Sequence, residues 1–310
     1  MNKELTSALS GLRQLGMGDL QAYKEAIARV NRICWQQYFP FLYFRYVMSR
    51  REDLLITEVN GSVCIFYKQN QLNKEPKLYL FFLPIPMNEQ ALNFCLERVR
   101  SFNNSKRAVI WWVDEEDIGK LEYMGSDFRA IPLEREYIYD PQIYRSLSGG
   151  EKHQLRKSLN RIKARNDVEV RAFEEGDIKD CIALMDEWAV IQEDKYDGKV
   201  SPRDYAKTCV RSSTFFDKKD LFGQVVLVEG IIRSVGFAGE IRTGLANLFI
   251  TYSDHNINGL NKFLIYHLML ELEGYDLVNS AYATTPGLKY AKESLCPVST
   301  HGMYRVHVTQ

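Results

Sequence analysis

Two stretches of the chain carry residue types at spacings that could do chemistry. Between Glu151 and Arg165, Leu155, Leu159 and Ile162 fall at i, i+4 and i+7, which marks the buried stripe of a helix. Lys157, Arg161 and Arg165 then line up at i, i+4 and i+8 on an exposed rail, with Lys152 and Arg156 on its flank. Such a rail suits the phosphate spacing of RNA, because guanidinium groups meet phosphate oxygens in pairs. A solvated linker helix would carry the same charges. The second stretch is Ser253-Asp254-His255-Asn256-Ile257-Asn258-Gly259-Leu260-Asn261. It joins an apolar strand pattern to an apolar helix pattern, so its end offers unpaired amides and the positive pole of a helix to an anion. A plain turn capped by Asn256 or Asn258 is the competing reading. The chain has no HExxH, no GxxxxGK[ST] and no Ser/His/Asp elbow, which sets aside zinc-protease, P-loop and serine-hydrolase chemistry.

The elements that must position these groups follow from periodicity. Apolar spacing that includes Leu5, Leu9 and Leu12 predicts helix over 3–37, interrupted at Gly16-Met17-Gly18. Strands are expected at 54–59 and 62–67, joined at Asn60-Gly61, and at 78–84. Asn88 caps a helix from Glu89 to about Phe102. A strand at 108–113 follows, straddled by Trp111-Trp112 with one ring in the core and one on a helix-covered face. An Asp114-capped helix runs to Tyr123, and a strand is expected at 131–139. Gly149-Gly150 then breaks the chain before the basic helix. The second half repeats the pattern. Strands are expected at 168–173, 223–229, 232–241, 245–252, 276–282 and 303–308, and helices at 178–192, 202–212, 260–272 and 287–294. This is α+β grammar with mixed, mostly antiparallel sheets flanked by helices.

Length and charge bound the rest. With 310 residues the chain has room for about two domains. Its 40 Lys and Arg balance 40 Asp and Glu, which excludes a globally basic nucleic-acid coat protein and an acidic tail. Six cysteines at 34, 64, 95, 181, 209 and 296 form no CxxC pair, so free thiols are expected rather than a metal site or a disulfide framework. The N-terminus lacks the apolar core of a signal peptide, and the most apolar run, 39–48, is short and holds Arg45. A cytoplasmic location is expected.

The order of elements in the second half (strand, helices, hairpin, strand, Gly-containing loop, helix, strand, helix, strand) resembles the GNAT acyltransferase fold. Several blocks resemble a narrower family, the soluble C-terminal domain of phosphatidylglycerol lysyltransferases, over about residues 36 to 308. They are Arg135–Tyr139, Gly150–Arg161, Gly259–Asn261, Gly274–Asn279 and Gly287–Pro297. The resemblance implies two GNAT-like lobes in tandem, with an N-terminal helical extension at 1–35, a first lobe at 36–148 and a second at 149–310. It also implies transfer of an aminoacyl group from aminoacyl-tRNA, or of an acyl group, onto an amine or hydroxyl of a small acceptor. Tightly bound cofactors and metals are not expected. The first lobe has Pro84-Ile-Pro86-Met-Asn88 where a phosphate loop would stand, which leaves chemistry to the second.

Acyl transfer needs a base, an acid for the leaving group and an oxyanion donor. The resemblance points to Glu240 as base, Asn279 as the group that orients the acceptor, and Tyr290 as general acid. Ser253, Asn256, Asn258, Gly259 and Asn261 would hold the donor, with Lys289 and Lys292 meeting its negative charge. Lys152, Arg156, Lys157, Arg161 and Arg165 would contact tRNA. Asp254 and His255 end a strand, and Asp186, Glu187 and Trp188 lie on the acceptor-side helix. Surface, capping or core roles compete for each residue. An acyl-CoA-dependent N-acetyltransferase and a non-catalytic GNAT-fold binding protein are the alternatives. The second fits Ala281 and Ala283, where relatives often carry acids.

Overall fold

Alternating apolar residues in the first part of the chain build a mixed seven-stranded sheet, seen here in a computed structural model that describes residues 9–48, 52–70, 75–123, 127–196 and 204–309. Its strands are β1 (Arg13–Gln14), β2 (Asp53–Val59), β3 (Ser62–Gln69), β4 (Lys77–Leu80), β5 (Arg107–Asp114) and β6 (Phe128–Pro132), with β14 (Met303–Thr309) inserted between β5 and β6. Asn60 and Gly61, at φ 50° and 75°, make the β2–β3 turn that their types predict. Helices α1 (Leu20–Ile27), α2 (Glu89–Asn103) and α3 (Glu115–Tyr123) complete this unit. Asn88 starts α2 by accepting the Ala91 amide at 2.8 Å, and α2 buries Leu92, Leu96 and Val99 against Phe66, Leu80 and Ile110.

The second unit has its own seven-stranded sheet. Its elements are β7 (Glu136–Tyr139), α4 (His153–Lys163), β8 (Val168–Ala172), α5 (Ile178–Tyr196), α6 (Asp204–Ser212), β9 (Phe222–Val228), β10 (Ile231–Arg242), β11 (Leu245–Ser253), α7 (Leu260–Glu271), β12 (Leu277–Tyr282), α8 (Pro286–Glu293) and β13 (Ser299–His301). The sheet order is β8-β9-β10-β11-β12-β7-β13. It matches the first sheet place for place, with β7 in the sixth position that β14 holds there. Leu155, Leu159 and Ile162 of α4 join Leu264, Leu268, Leu248 and Val278 in the core on the α7 face.

The same local device opens both units. Arg13 pairs with Asp19, whose carboxylate also accepts the Gly16 amide at 2.9 Å. Arg171 meets both oxygens of Asp177 at 2.7 Å, and that carboxylate accepts the Glu174 amide at 2.9 Å. Each time an Arg-x4-Gly-Asp run ends a strand, closes a tight turn and starts a helix.

Three expectations are corrected. The 3–37 segment is not one helix: Gly16 and Gly18 break it, Arg13 pairs across from Ile56 as an edge strand, and among its described residues only Leu20–Ile27 is α-helical. Leu5 lies outside the described residues. The 131–139 strand is two strands in two sheets: β6 ends at Pro132 in the first, and β7 begins at Glu136 in the second. The last strand pairs with β5 and β6 rather than with the second sheet. The chain therefore divides into 1–135 with 301–310, and 136–300, instead of at 148/149 with a separate segment at 1–35. Trp111 and Trp112 are both half-buried.

Arg32 lies 2% exposed, paired with Asp117 and donating to the carbonyls of Leu83 at 2.9 Å and Pro84 at 3.0 Å. Replacing Asp117 by Leu strands that charge and is expected to cost about 3–5 kcal/mol in urea unfolding, most of it recovered by adding Arg32→Met. The Arg171 guanidinium holds Asp177 below the ordinary carboxylate range, against a smaller upward push from burial. A depressed folded value stabilises above the unfolded pKa and is lost as pH falls through the folded one. Arg171→Gln is thus expected to lower stability at neutral pH and flatten its decline below about pH 4 in acid titrations followed by circular dichroism.

Candidate active site

The polar run after β11 folds as the sequence requires. Asp254 accepts the Asn256 amide at 2.9 Å and takes an ion pair from Arg233 at 3.4 Å, which fixes the start of the turn. Ser253 donates to Asn261 at 3.3 Å and lies against the buried Ser234 hydroxyl. Gly259 adopts φ 95°, a left-handed conformation, and a Cβ there would stand 3.2 Å from the Ser158 carbonyl of α4. Only glycine allows that approach, and it brings the basic helix against the loop. The amides of Asn258, Gly259, Asn261 and Lys262 make no backbone hydrogen bond among the described residues. Lys262, in the first turn of α7, has its pKa lowered by burial and forms no ion pair among the described residues. Strand end, loop and α5 enclose a small pocket of about 100 Å³ lined by Glu187, Trp188, Arg233, Asp254, His255 and Asn256. His255 stacks on Trp188 at 5.9 Å.

β11 and β12 run parallel and pair only from Leu245/Leu277 to Asn247/Asn279. Beyond that register both strands continue without pairing each other, so they form a V that opens toward the Ser253–Gly259 loop. Irregularities on both strands accompany the divergence: Phe249 of β11 is an extra residue between its Leu248 and Ile250 pairings with β10, and Ala281 of β12 leaves extended geometry. It sits at φ 60°, where alanine is strained, and its amide donates to the Asn279 Oδ1 at 2.8 Å. The Asn279 Nδ2 donates to the buried Glu136 at 2.6 Å. Beside it at the apex, Asn247 is 0% exposed and both its amide atoms lack partners among the described residues. The apex is about 20 Å from Ser253 along β11, six residues at ~3.3 Å each.

Several predicted site residues are placed elsewhere. Glu240 pairs across from Ala246, and its carboxylate is held by Lys219 at 3.1 Å and the Tyr275 hydroxyl at 3.1 Å. It shares the α7 face with Ala246, whereas Asn279 faces the other way alongside Glu136, so the two do not meet. Tyr290 is 73% exposed on α8. Lys289 lies 3.9 Å from Glu293, and Lys292 bonds to the Ser280 hydroxyl at 2.7 Å and to its carbonyl, so it anchors α8 to β12. The basic rail is shorter than its spacing implies. Arg156 donates to the Leu147 and Gly149 carbonyls, Lys152 to the Ser148 carbonyl at 3.0 Å, and Arg165 to both oxygens of Asp167 at 2.9 and 2.6 Å. Lys157 and Arg161 remain exposed on α4. Asp186 pairs with Lys207. Arg233, Asn247, Glu136 and Lys262 were not singled out by spacing. A charged or amide residue inside an otherwise apolar strand, such as Asn247, is the signal that would have found them.

Two units with matching sheet orders, a glycine-hinged loop at a helix start and a split parallel strand pair define a tandem GNAT-like acyltransferase fold. The chain belongs to the family described as phosphatidylglycerol lysyltransferase, C-terminal, which it matches over residues 44–306. Among solved structures it is similar to a conserved protein of unknown function from Bacteroides thetaiotaomicron, at 17% identity and TM-score 0.82, covering 96% of this chain and 99% of that one. It also resembles L-PGS from Bacillus licheniformis, at 15% identity and TM-score 0.64, covering 95% and 92%. A tandem GNAT protein from the clavulanic acid biosynthesis pathway aligns at 8% identity and TM-score 0.50, covering 95% and 97%. A search of curated protein sequences finds no match. Among the described residues, no helix is long and apolar enough to cross a membrane.

Gly259→Ala is expected to lower stability by about 1–3 kcal/mol in thermal or urea melts, from strain at positive φ and the shift forced on α4. Asn279→Ala strips a hydrogen bond from buried Glu136 and is expected to cost about 1–3 kcal/mol in the same melts.

Proposed function

We propose that the chain transfers an aminoacyl group from aminoacyl-tRNA to an amine or hydroxyl of a small acceptor, with chemistry in the second unit. The observation that carries this reading is Lys262. A cation placed at the positive pole of a helix and half-stripped of water costs stability unless an anion answers it. The unpaired amides of Asn258, Gly259 and Asn261 lie in the same turn, and the basic helix α4 packs against it. Membership of the lysyltransferase family favours aminoacyl-tRNA as the anionic donor over acyl-CoA.

In the proposed reaction, the acceptor nitrogen or oxygen attacks the ester carbonyl carbon. The new bond forms as the bond to the ribose oxygen breaks, and the acceptor's proton passes to that oxygen. The donor's phosphates rest on the loop and its aminoacyl end points toward the apex of the V, where Asn247 holds two amide atoms without partners among the described residues and Asn279 fixes the geometry. Tyr290, exposed on α8, is retained as candidate proton donor. Glu240 is not assigned the base, given its partners. Lys157 and Arg161 are the proposed tRNA contacts on α4. A cytoplasmic location accords with a charged-tRNA donor.

The test is a filter-binding assay with charged tRNA, paired with a melting scan. Charge reversal of Lys157 and Arg161 is expected to abolish retention, and charged tRNA at about 100 times its dissociation constant should stabilise the protein by about 2.7 kcal/mol. Stabilisation by acetyl-CoA instead would assign the acyl-CoA reaction. No stabilisation by either, with Tyr290→Phe indistinguishable from wild type in transfer assays, would leave a binding protein. Without ligand, Lys262→Gln is expected to raise the melting temperature while weakening donor binding.

A further inference from the structure

The face of the first sheet opposite α2 is covered at one end and open at the other. Over β3, Tyr46 packs on Tyr67 at 5.7 Å and on Phe81 at 5.2 Å. Toward β4, β5, β14 and β6 the cover ends, and Tyr79, Trp111 and Arg305 are half-exposed. These side chains already touch one another. Tyr67 lies 5.9 Å from Tyr79, Tyr79 lies 4.8 Å from Trp111, and the Arg305 guanidinium sits 4.0 Å over the Trp111 ring. By strand alternation and register, Lys77, Arg107 and Arg129 share this face. The one acid of these four strands on that side is Asp114 at the end of β5, which is buried and already accepts the Ile33 and Cys34 amides at 2.9 and 3.1 Å. None of the four cations forms an ion pair among the described residues, and the buried Nε of Arg305 has no hydrogen-bond partner there.

We infer that this open half-sheet is a platform for unpaired nucleotides of single-stranded RNA, with bases stacking on Trp111 and Tyr79 and phosphates meeting Lys77, Arg107, Arg129 and Arg305. A flat sheet face with adjacent aromatic rings matches the π-faces of splayed bases, and cations without carboxylate partners match a polyanion. A duplex keeps its bases stacked inside and offers these rings nothing. The inference goes beyond the transferase reading: it rests on the first unit alone and stands or falls whether or not the second unit transfers anything.

The test is fluorescence anisotropy of the whole chain with a fluorescein-labelled oligoadenylate at low salt. Binding is expected, with log K falling against log salt at a slope of about −3, from four phosphate contacts at ~0.7 each. Trp111→Ala should weaken binding about ten-fold or more, and Trp111→Phe should restore most of it. Arg129→Gln, on an exposed strand position, should lower the slope by about 0.7 and serves if Trp111→Ala does not fold. Lys157→Glu with Arg161→Glu should leave oligonucleotide binding unchanged, which separates this surface from α4. No binding at low salt overturns the proposal. So does binding that Trp111→Ala and Arg129→Gln leave intact, binding of heparin with the same response to every variant, or cosedimentation with anionic vesicles without RNA binding.

Discussion

The second unit depends on one interrupted pairing. Parallel strands β11 and β12 share a register for three residue pairs and then part, where β11 bulges at Phe249 and Ala281 of β12 takes a left-handed conformation that the Asn279 side chain pins by accepting its amide. A sheet that stayed paired would have no interior opening. The parting converts backbone normally consumed by a ladder into the walls of a V, and the loop that follows β11 closes its wide end with amides and a cation. Strain at Ala281 is the cost.

Charge is handled by two different means. Where a carboxylate must be buried, cations answer it: at Asp19 and Asp177 an arginine and a backbone amide do so and organise a turn before a helix, and at Asp117 Arg32 and Lys120 do so. Where a cation meets no carboxylate, as at Lys262 and on the open half of the first sheet, no ion pair among the described residues holds it, although Arg305 rests on the Trp111 ring. That contrast separates charges that serve the fold from charges available to a ligand.

Much of this was legible before any coordinates. The Asn60-Gly61 turn, the Asn88 cap, the glycine at 259 and the α4 stripe are local rules, in which neighbours a few residues apart decide the outcome. Asn279 was legible as a position, though its partner Glu136 was not, since 143 residues separate them. The reading of the rail overcounted for the same reason. Helical spacing correctly aligned Lys157 and Arg161, but it could not show that Arg156 caps the 147–149 carbonyls or that Arg165 folds onto Asp167.

The sequence by itself determined most of the strands and helices, where the chain turns, and that a glycine-containing loop precedes α7, because dihedral preference, capping and amphipathic period act within a few residues. Only the tertiary structure decided which sheet each strand joins. Periodicity carries no register between distant strands, so the placement of β14 in the first sheet and β7 in the second was invisible. The same limit hid the surroundings of Glu240. A strand residue's face and partners depend on bulges and on groups such as Lys219 and Tyr275 that arrive from elsewhere in the chain, and a carboxylate already held by them is a different chemical object from the free one its letter suggests.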